Sequence, residues 1–267
     1  GHQTTYAMIL SDQTGIPLDR ITLVDGDTDR VPQGGGTGGS RSLQVGGSAI
    51  HRATEAMVEQ ARILAAQVLE ADQADIIIDR STGTIGVVGV PASALSWGEL
   101  AAKSEELGDR PLEAEHVFDP EGASFPFGAH IAVVEVDTET GEARLMRHVA
   151  VDDCGTVINQ LLVEGQQHGG IASGVGQALF EEIRYDGSGN PITGNFADYG
   201  IPSAADMPSF EVHSTQTPSP LNPLGAKGIG EAATIGSTPA IQNAVIDAVS
   251  HLGVRHIDMP CTAERVW

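Results

Sequence analysis

Cysteine and basic residues are scarce in this sequence. Its 267 residues include two cysteines, Cys154 and Cys261. Two are too few for a disulfide framework and too isolated to form a zinc or iron–sulfur site on their own, so a reducing compartment fits best. Lys and Arg number 14 against 36 Asp and Glu, which gives a formal net charge of −22. This acidic excess opposes binding to nucleic acid or to an anionic membrane surface.

Long hydrophobic runs are also missing. No stretch approaches the length that spans a bilayer, and the first residues lack the basic-then-apolar pattern of a signal peptide. We therefore expect a soluble, cytoplasmic protein. The chain opens at Gly1 in a pattern typical of a helix start, without an initiator methionine, so we expect an excised fragment or a processed subunit.

The elements that the sequence does contain mix helices and strands without a strict βαβ rhythm. Helical periodicity covers about residues 4–13, 48–71 and 164–182, and a hydroxyl-rich cap before Pro239 predicts a further helix start at Ser237. Strands are predicted at 21–24, 76–78, 85–90, 131–136, 144–151 and 210–214. This predicts an α+β chain of mixed sheets and packed helices, 1–267, with possible subdomains at about 1–125 and 126–267.

A glycine-rich segment at 34–42 reads GGGTGGSRS. So many glycines would cost too much backbone entropy in a helix or strand, so the segment is predicted to be a loop. Its backbone N–H groups, the hydroxyls of Ser40 and Ser42 and the guanidinium of Arg41 could hold a phosphate group. It matches neither GxxxxGK[ST] nor a strand-borne GxGxxG, and taken alone it is equally consistent with a flexible loop.

Two further segments combine glycine with polar side chains. In EGQQHGGIASGVG, the amides of Gln166 and Gln167 could bind an oxo group or a pterin edge; alternatively, the glycines form a helix–helix contact and the glutamines face water. Glu231 follows the glycines of KGIG. A carboxylate buried beside such turns would suit a general base with a raised pKa, whereas a surface glutamate favoured by a helix N-terminus is the alternative.

Other catalytic signatures do not occur. The nine histidines include no HExxH pair, and there is no GxSxG elbow of a serine hydrolase. Cys154 is interpreted as a buried structural thiol. A nucleotide-binding hydrolase that uses the 34–42 loop is a weaker alternative.

Taken in order, several segments resemble the molybdenum-binding subunit of the xanthine oxidase family, which includes aldehyde oxidoreductases, aerobic carbon monoxide dehydrogenases and dehydrogenases of aromatic N-heterocycles. They are GHQTTY, GDTDRVPQGGGTGGSRS, VDDCGTVIN, EGQQHGGIASGVGQALFEE, DYGIPSAADMP and PLGAKGIGEAATIGSTPAIQNAVIDAV. The resemblance runs from Gly1 to Trp267. It implies the C-terminal half of a molybdopterin-binding domain.

The resemblance also implies roles for individual residues. Glu231 corresponds to the family's active-site glutamate, thought to deprotonate a Mo–OH ligand whose oxygen attacks an electron-poor carbon while hydride passes to a sulfido ligand. The metal itself would be held by the pterin dithiolene and by no side chain of this chain. The implied contacts to molybdopterin, in its cytosine dinucleotide form, are Thr37, Gly38, Gly39, Ser40, Arg41, Ser42, Gln166, Lys227, Gly228 and Ile229.

The sequence departs from the family pattern at two points. It starts at the second glycine of the usual GQGH motif, without the preceding glutamine, and Ala172-Ser173-Gly174 stands where many relatives have AQG. The N-terminal half of the subunit would supply the other wall of the cofactor site, so we expect the isolated chain to be inactive. Phe196, Asp198 and Tyr199 are candidates either for the substrate pocket or for hairpin packing.

The resemblance implies that the chain is part of a molybdenum hydroxylase. Such an enzyme oxidises an aldehyde, an aromatic N-heterocycle or a similar small substrate, with water as the oxygen source. Electrons would leave through [2Fe–2S] clusters and FAD on partner domains or subunits, because this chain has no four-cysteine ligand set. The alternative is a non-catalytic cofactor-binding or assembly module of the same fold.

Overall fold

The computed structural model describes residues 1–31, 33–107 and 111–267. Pro32, in the GDTDRVPQ motif, and residues 108–110, in the segment that connects the two predicted strand regions, lie outside the described residues. The chain divides into two compact units, the first formed by Gly1–Ala123 with Ser219–Ala226 and the second by Ser124–Pro218 with Lys227–Trp267. The division into subdomains at about 1–125 and 126–267 stays a prediction.

The first unit combines helices with a small antiparallel sheet. Helix α1 (His2–Thr14) ends at Gly15, whose φ of 71° lets its N–H reach the carbonyl of Ser11. A π-helical turn, Leu43–Gly47, leads into α2 (Ser48–Val68). Strands β1 (Ile76–Asp79), β2 (Thr84–Val87) and β3 (Leu95–Ser96) pair in that order, and α3 (Trp97–Glu106) follows. The buried core consists of Ala61, Leu64, Ala65, Ile76, Ile85 and Leu100.

The second unit packs two long helices on a three-stranded sheet. Strands β4 (Phe127–Val136) and β5 (Ala143–Asp153) form an antiparallel hairpin, and β6 (Glu211–Thr215) runs parallel to β5. The helices are α4 (Gln160–Leu179), α5 (Phe196–Tyr199), α6 (Ala232–Val249) and α7 (Ala263–Val266). The core between the sheet and the long helices includes Leu145, Ala150, Ile171, Val175, Ile241 and Val245.

Helices together with small mixed sheets confirm the α+β prediction. The predicted strand at 21–24 is wrong, because the side chain of Gln3 on α1 takes the backbone groups that a sheet would use: its Nε2 donates to the carbonyl of Ile21 and its Oε1 accepts from the N–H of Leu23. Among the described residues, no helix has both the length and the apolar character needed to cross a membrane.

The predicted start of α6 is also wrong. The helix begins at Ala232, five residues before Ser237, and carries Pro239 inside it. Ala233 and Ser237 are fully buried, and the Oγ1 of Thr238 donates to the carbonyl of Thr234 at 2.9 Å. Tertiary packing of the first turns therefore overrides the local cap signal of the Ser-Thr-Pro sequence.

Candidate functional site

Glu231 stands immediately before the first residue of α6. Its carbonyl accepts the N–H of Ile235 at 3.0 Å, which is the first hydrogen bond of the helix, and its side chain is exposed. The partial positive charge of a helix N-terminus favours a carboxylate at this position. Of the two environments that the sequence left open for Glu231, a buried carboxylate and a surface glutamate, the structure of this chain shows an exposed residue.

The segment before Glu231 is tied to the end of β5 through Lys227. Its backbone N–H donates to the carbonyl of Cys154 at 2.7 Å, and its Nζ donates to Oδ1 of Asp153 at 3.1 Å. The same Nζ lies 4.6 Å from the ring centroid of Phe127. Only 9% of the Lys227 side chain and none of the Asp153 side chain is exposed, so this is a buried ion pair.

Asp153 has further donors besides the ammonium. Its Oδ1 accepts the backbone N–H groups of Gly155 at 2.9 Å and of Thr217 at 3.1 Å, and its Oδ2 accepts the hydroxyl of Thr215 at 3.0 Å. Burial by itself would raise the pKa of Asp153, but the hydrogen bonds from Gly155, Thr217 and Lys227 outweigh burial and hold that pKa well below its usual range. Asp153 is therefore an ionised anchor.

The neighbouring carboxylate, Asp152, serves a different network, because successive side chains of a strand point to opposite faces of the sheet. Its Oδ1 lies 3.1 Å from Nε2 of His130, and its Oδ2 accepts Nε2 of Gln167 at 3.0 Å. The same amide nitrogen of Gln167 donates to the carbonyl of His213 at 3.0 Å. Burial opposes ionisation of Asp152, yet the hydrogen bonds from His130 and Gln167 lower its pKa overall.

A second histidine extends this network. Nε2 of His148 lies 3.1 Å from Nδ1 of His130. Burial is the largest cause that lowers the pKa of His148 to about 4, and a positive charge on His130, when that ring is protonated, acts in the same direction, so His148 is neutral at pH 7. Among the described residues, Nδ1 of His148 and Oε1 of Gln167 are buried without a hydrogen-bond partner. The network is thus wholly internal and ends in two unpaired acceptors.

Helix α6 is seated on α4 through glycines. A Cβ at Gly170 would lie 2.7 Å from Cβ of Ala233, and one at Gly174 would collide with the hydroxyl of Ser237. The hydroxyl of Thr234 donates to the carbonyl of Gly170 at 3.0 Å. The helix–helix contact that the sequence analysis gave as one reading of EGQQHGGIASGVG is therefore present, and it fixes the first turns of α6.

The glutamine pair on α4 splits between two environments. Gln166 is exposed, whereas Gln167 is fully buried in the Asp152 network. The alternative in which both glutamines face water is therefore wrong for Gln167. In the part of the chain that the structure describes, nothing lies within 4 Å of a Cβ placed at Gly165 or Gly169, so α4 is open there beside Gln166.

The 34–42 loop belongs to the first unit and is folded on itself. Gly38–Ser40 forms a tight turn in which Gly39 and Ser40 have φ of 68° and 53°. The guanidinium of Arg41 donates to the carbonyls of Gly35 and Gly36. The hydroxyl of Ser42 donates to that of Thr37 at 3.0 Å, and Tyr6 on α1 donates to the carbonyl of Ser42 at 2.8 Å. The loop is shaped by these contacts rather than structureless.

The open side of this loop fits an anionic, phosphate-bearing cofactor. Among the described residues, nothing lies within 4 Å of a Cβ placed at Gly34, Gly36, Gly38 or Gly39, so the glycine backbone is accessible on this side. Backbone N–H groups of a turn with positive φ, flanking hydroxyls and one guanidinium form a donor set suited to phosphate oxygens. This donor set stands out because the chain as a whole is strongly acidic.

The remaining sequence candidates lie on α5. Phe196 is 81% exposed, Asp198 accepts the side-chain amide of Asn195 at 2.6 Å, and the hydroxyl of Tyr199 donates to Glu181 at 3.1 Å. Sequence reasoning missed His130, His148 and Asp152. A signal was available in the alternation of β4 and β5, which places these polar residues on the inward face beside apolar neighbours.

Comparison with known proteins defines the class of this chain. The family model described as a molybdopterin cofactor-binding domain matches residues 1–208. The chain belongs to this family, as its resemblance to the molybdenum-binding subunits predicted.

Individual relatives agree with this membership. The chain is 41% identical to the carbon monoxide dehydrogenase large chain of Hydrogenophaga pseudoflava, covering 100% of this chain and 34% of the relative. It is 36% identical to the nicotine 6-hydroxylase large subunit of Paenarthrobacter nicotinovorans, covering 100% and 33%. The structure of quinoline 2-oxidoreductase from Pseudomonas putida 86 matches with a TM-score of 0.88 at 39% identity, covering 100% and 34%. The chain therefore spans about a third of the length of these relatives.

Proposed function

We propose that this chain is the part of a molybdenum hydroxylase large subunit that holds molybdopterin and supplies its general base, Glu231. The substrate class is an aldehyde, an aromatic N-heterocycle or a similar small molecule, oxidised with water as the oxygen source. The observation that carries the proposal is the placement of Glu231: an exposed carboxylate at the start of α6, with Lys227 anchored before it and Ala233 packed on α4 after it.

The proposed cofactor is molybdopterin in its cytosine dinucleotide form. The proposed donors along 37–42 are the backbone and side chains, with Arg41 binding the phosphates. The other proposed contacts are the exposed amide of Gln166 and the segment Lys227, Gly228 and Ile229. Because the ammonium of Lys227 is engaged by Asp153, the contribution of this segment rests on its backbone.

When bound, the molybdenum centre supplies two-electron redox chemistry, and this chain supplies proton transfer. The carboxylate of Glu231 would act as the general base that accepts the proton released by water, the oxygen source. Glu231 directly precedes the first residue of α6, a position that suits an acidic side chain. Exposure of the side chain then allows the proton to leave to solvent once the product departs.

The proposed complex is cytoplasmic and includes the N-terminal half of the subunit, which would complete the cofactor site. The relatives are named as a large chain and a large subunit, which supports further subunits here. We propose that these carry [2Fe–2S] clusters and FAD. We expect the chain by itself to be inactive and to bind little cofactor, and molybdenum analysis of the purified chain tests this.

The central experiment is Glu231→Gln in the assembled enzyme that contains this chain. Loss of a general base typically costs about 10²–10⁴-fold in turnover. We expect kcat to fall by at least this much while molybdenum and pterin contents stay at the wild-type level. Glu139→Gln, an exposed glutamate in the β4–β5 turn, is the matched control and should leave kcat unchanged. Normal turnover in the Glu231 variant would favour a non-catalytic cofactor-binding or assembly module instead.

A further inference from the structure

We infer that Asp153 is a positioning residue for Glu231, acting through Lys227. This inference rests on the proposed function and deepens it, because it assigns the group that holds the base in place. Lys227 precedes Glu231 by four residues, and Gly228 and Gly230 between them have no side chain to hold the segment. On this side of Glu231, the two hydrogen bonds of Lys227 anchor the segment to the end of β5.

Stability alone does not account for the ion pair. Asp153 already accepts hydrogen bonds from Gly155, Thr217 and Thr215, so the ammonium is not needed to satisfy the carboxylate. Burying a lysine ammonium carries a desolvation cost that the attraction to its partner often only balances. The ion pair with Asp153 instead fixes the position of Lys227.

The anchor at Asp153 is itself rigid. Asp153 is the last residue of β5, it is fully buried, and its bonds to Thr215 and Thr217 join it to the end of the neighbouring strand β6. On the opposite face of the sheet, Asp152 binds His130. The ring of His130 packs on Gly236 of α6, where an added Cβ would lie 2.7 Å from Nε2 of that histidine. Lys227, before Glu231, therefore contacts Asp153, and Gly236, after it, packs on the ring that binds Asp152. These two carboxylates are neighbours on β5.

Proton transfer requires the carboxylate of Glu231 to be held close to the proton that it accepts. A displacement of about 1 Å of a reacting group can cost about 100-fold in rate. Loss of the contact between the ammonium and Asp153 removes one of the two hydrogen bonds that anchor Lys227. The glycine-rich segment then becomes more mobile, so Glu231 would occupy its working position for a smaller fraction of the time. Substrate binding does not depend on this proton transfer, so kcat falls and KM does not.

The test uses Lys227→Met and Asp153→Asn in the assembled enzyme. Lys227→Met keeps the other three donors of Asp153, so the carboxylate stays hydrogen-bonded in this variant. We measure hydrogen exchange at the amides of 228–231, together with kcat, KM and the molybdenum and pterin contents. We expect exchange to rise by about tenfold, kcat to fall by about 10- to 100-fold, KM to change by less than about threefold and both contents to stay constant. Lys227→Arg, which restores a cation, should recover most of the kcat.

The control is Arg147→Met. Arg147 also lies on β5 and pairs with Glu211 on β6 through an exposed ion pair, so its loss should change neither the exchange of 228–231 nor kcat. Unchanged exchange and kcat in both test variants would overturn the inference. A fall in molybdenum content parallel to that in kcat would also overturn it, because Lys227 would then act on the cofactor.

The two proposals fail separately. Turnover that survives Glu231→Gln refutes the general base, whereas the exchange measurement still reports whether Asp153 and Lys227 fix the segment. If Glu231→Gln abolishes turnover but exchange at 228–231 is unchanged in Lys227→Met and Asp153→Asn, only the positioning role is wrong.

Discussion

His130 and Asp152 are joined by a hydrogen bond of 3.1 Å between Nε2 and Oδ1. An ionised carboxylate can only accept, so Nε2 of His130 carries the hydrogen. With a neutral His130, Nδ1 is then an acceptor, and Nε2 of His148 must donate to it across the observed 3.1 Å. This order leaves Nδ1 of His148 unprotonated in a fully buried place, which is why protonation of His148 is unfavourable.

The first prediction is a pH dependence of stability caused by His148. The folded-state pKa of about 4 lies below the unfolded value of about 6.5, so between these values the unfolded chain binds a proton that the folded chain does not. Unfolding is therefore favoured as the pH falls. We expect His148 to lower the free energy of unfolding by about 2 kcal/mol between pH 7.5 and pH 5. Denaturant titrations at the two pH values measure this difference.

The variant His148→Leu should lose this part of the pH dependence, although its stability at pH 7.5 is reduced because His130 loses a donor. His256 pairs with Asp258 at the surface, so His256→Leu is the control and should keep the full pH dependence. An equal difference between pH 7.5 and pH 5 in wild type and His148→Leu would contradict the prediction.

The second prediction concerns the glycine contact between α4 and α6. Alanine at position 174 would collide with the hydroxyl of Ser237 and lie 3.0 Å from the backbone N of Thr238. Overpacking of this kind costs about 1–3 kcal/mol, so we expect Gly174→Ala to lower the free energy of unfolding by that amount. Chemical denaturation followed by circular dichroism measures it.

Gly169 on the same helix provides the matched comparison. A Cβ there meets none of the described residues within 4 Å, and alanine is the better helix former by about 0.5–1 kcal/mol. Gly169→Ala should therefore leave stability unchanged or raise it by up to about 1 kcal/mol. If Gly174→Ala and Gly169→Ala changed the free energy of unfolding by the same amount, close packing of α6 on α4 would not explain the loss of stability in Gly174→Ala.

The parts of the fold that the sequence predicted are those that local interactions determine. The β4–β5 hairpin was placed correctly because its turn is encoded in a few residues: Oδ1 of Asp137 accepts the N–H of Glu139, and Gly141 adopts a φ of 77°. The start of α6 was misplaced because burial of Ala233 against α4 decides it. No window of local sequence contains that contact.

The candidate site divides in the same way. Glu231 and the 34–42 loop were named from motifs, whereas the Asp153–Lys227 pair joins residues 74 positions apart and has no sequence signature. His130 and His148 come together only when the hairpin forms, since they lie on different strands. A lone histidine on a strand has no spacing that would distinguish a network from ordinary packing.

The third prediction tests the role of Arg41 in holding the cofactor. In the assembled enzyme, Arg41→Met removes a charge-assisted donor set and the bonds that shape the loop. Hydrogen bonds to charged groups contribute about 1.5–3 kcal/mol, so we expect cofactor affinity to fall by about tenfold or more. Molybdenum and pterin per protein, measured after dialysis, report this loss.

Arg52→Met is the control for the third prediction, because Arg52 belongs to the same unit and forms an exposed ion pair with Glu55 on α2. It should retain its cofactor. Full cofactor content in Arg41→Met would show that the loop does not bind the phosphates.

The last prediction is that neither cysteine reacts in the native chain. Cys154 and Cys261 are 3% and 2% exposed. Burial raises the pKa of both thiols, and the charge of Asp153 raises that of Cys154 further. Because the thiolate is the reactive form, we expect almost no modification by a thiol reagent at pH 8 in the folded chain, against two thiols per chain in denaturant. Cys261→Ala assigns the signal, and rapid labelling of one native thiol in that variant would mean that the end of β5, where Asp153 and Cys154 lie, opens readily.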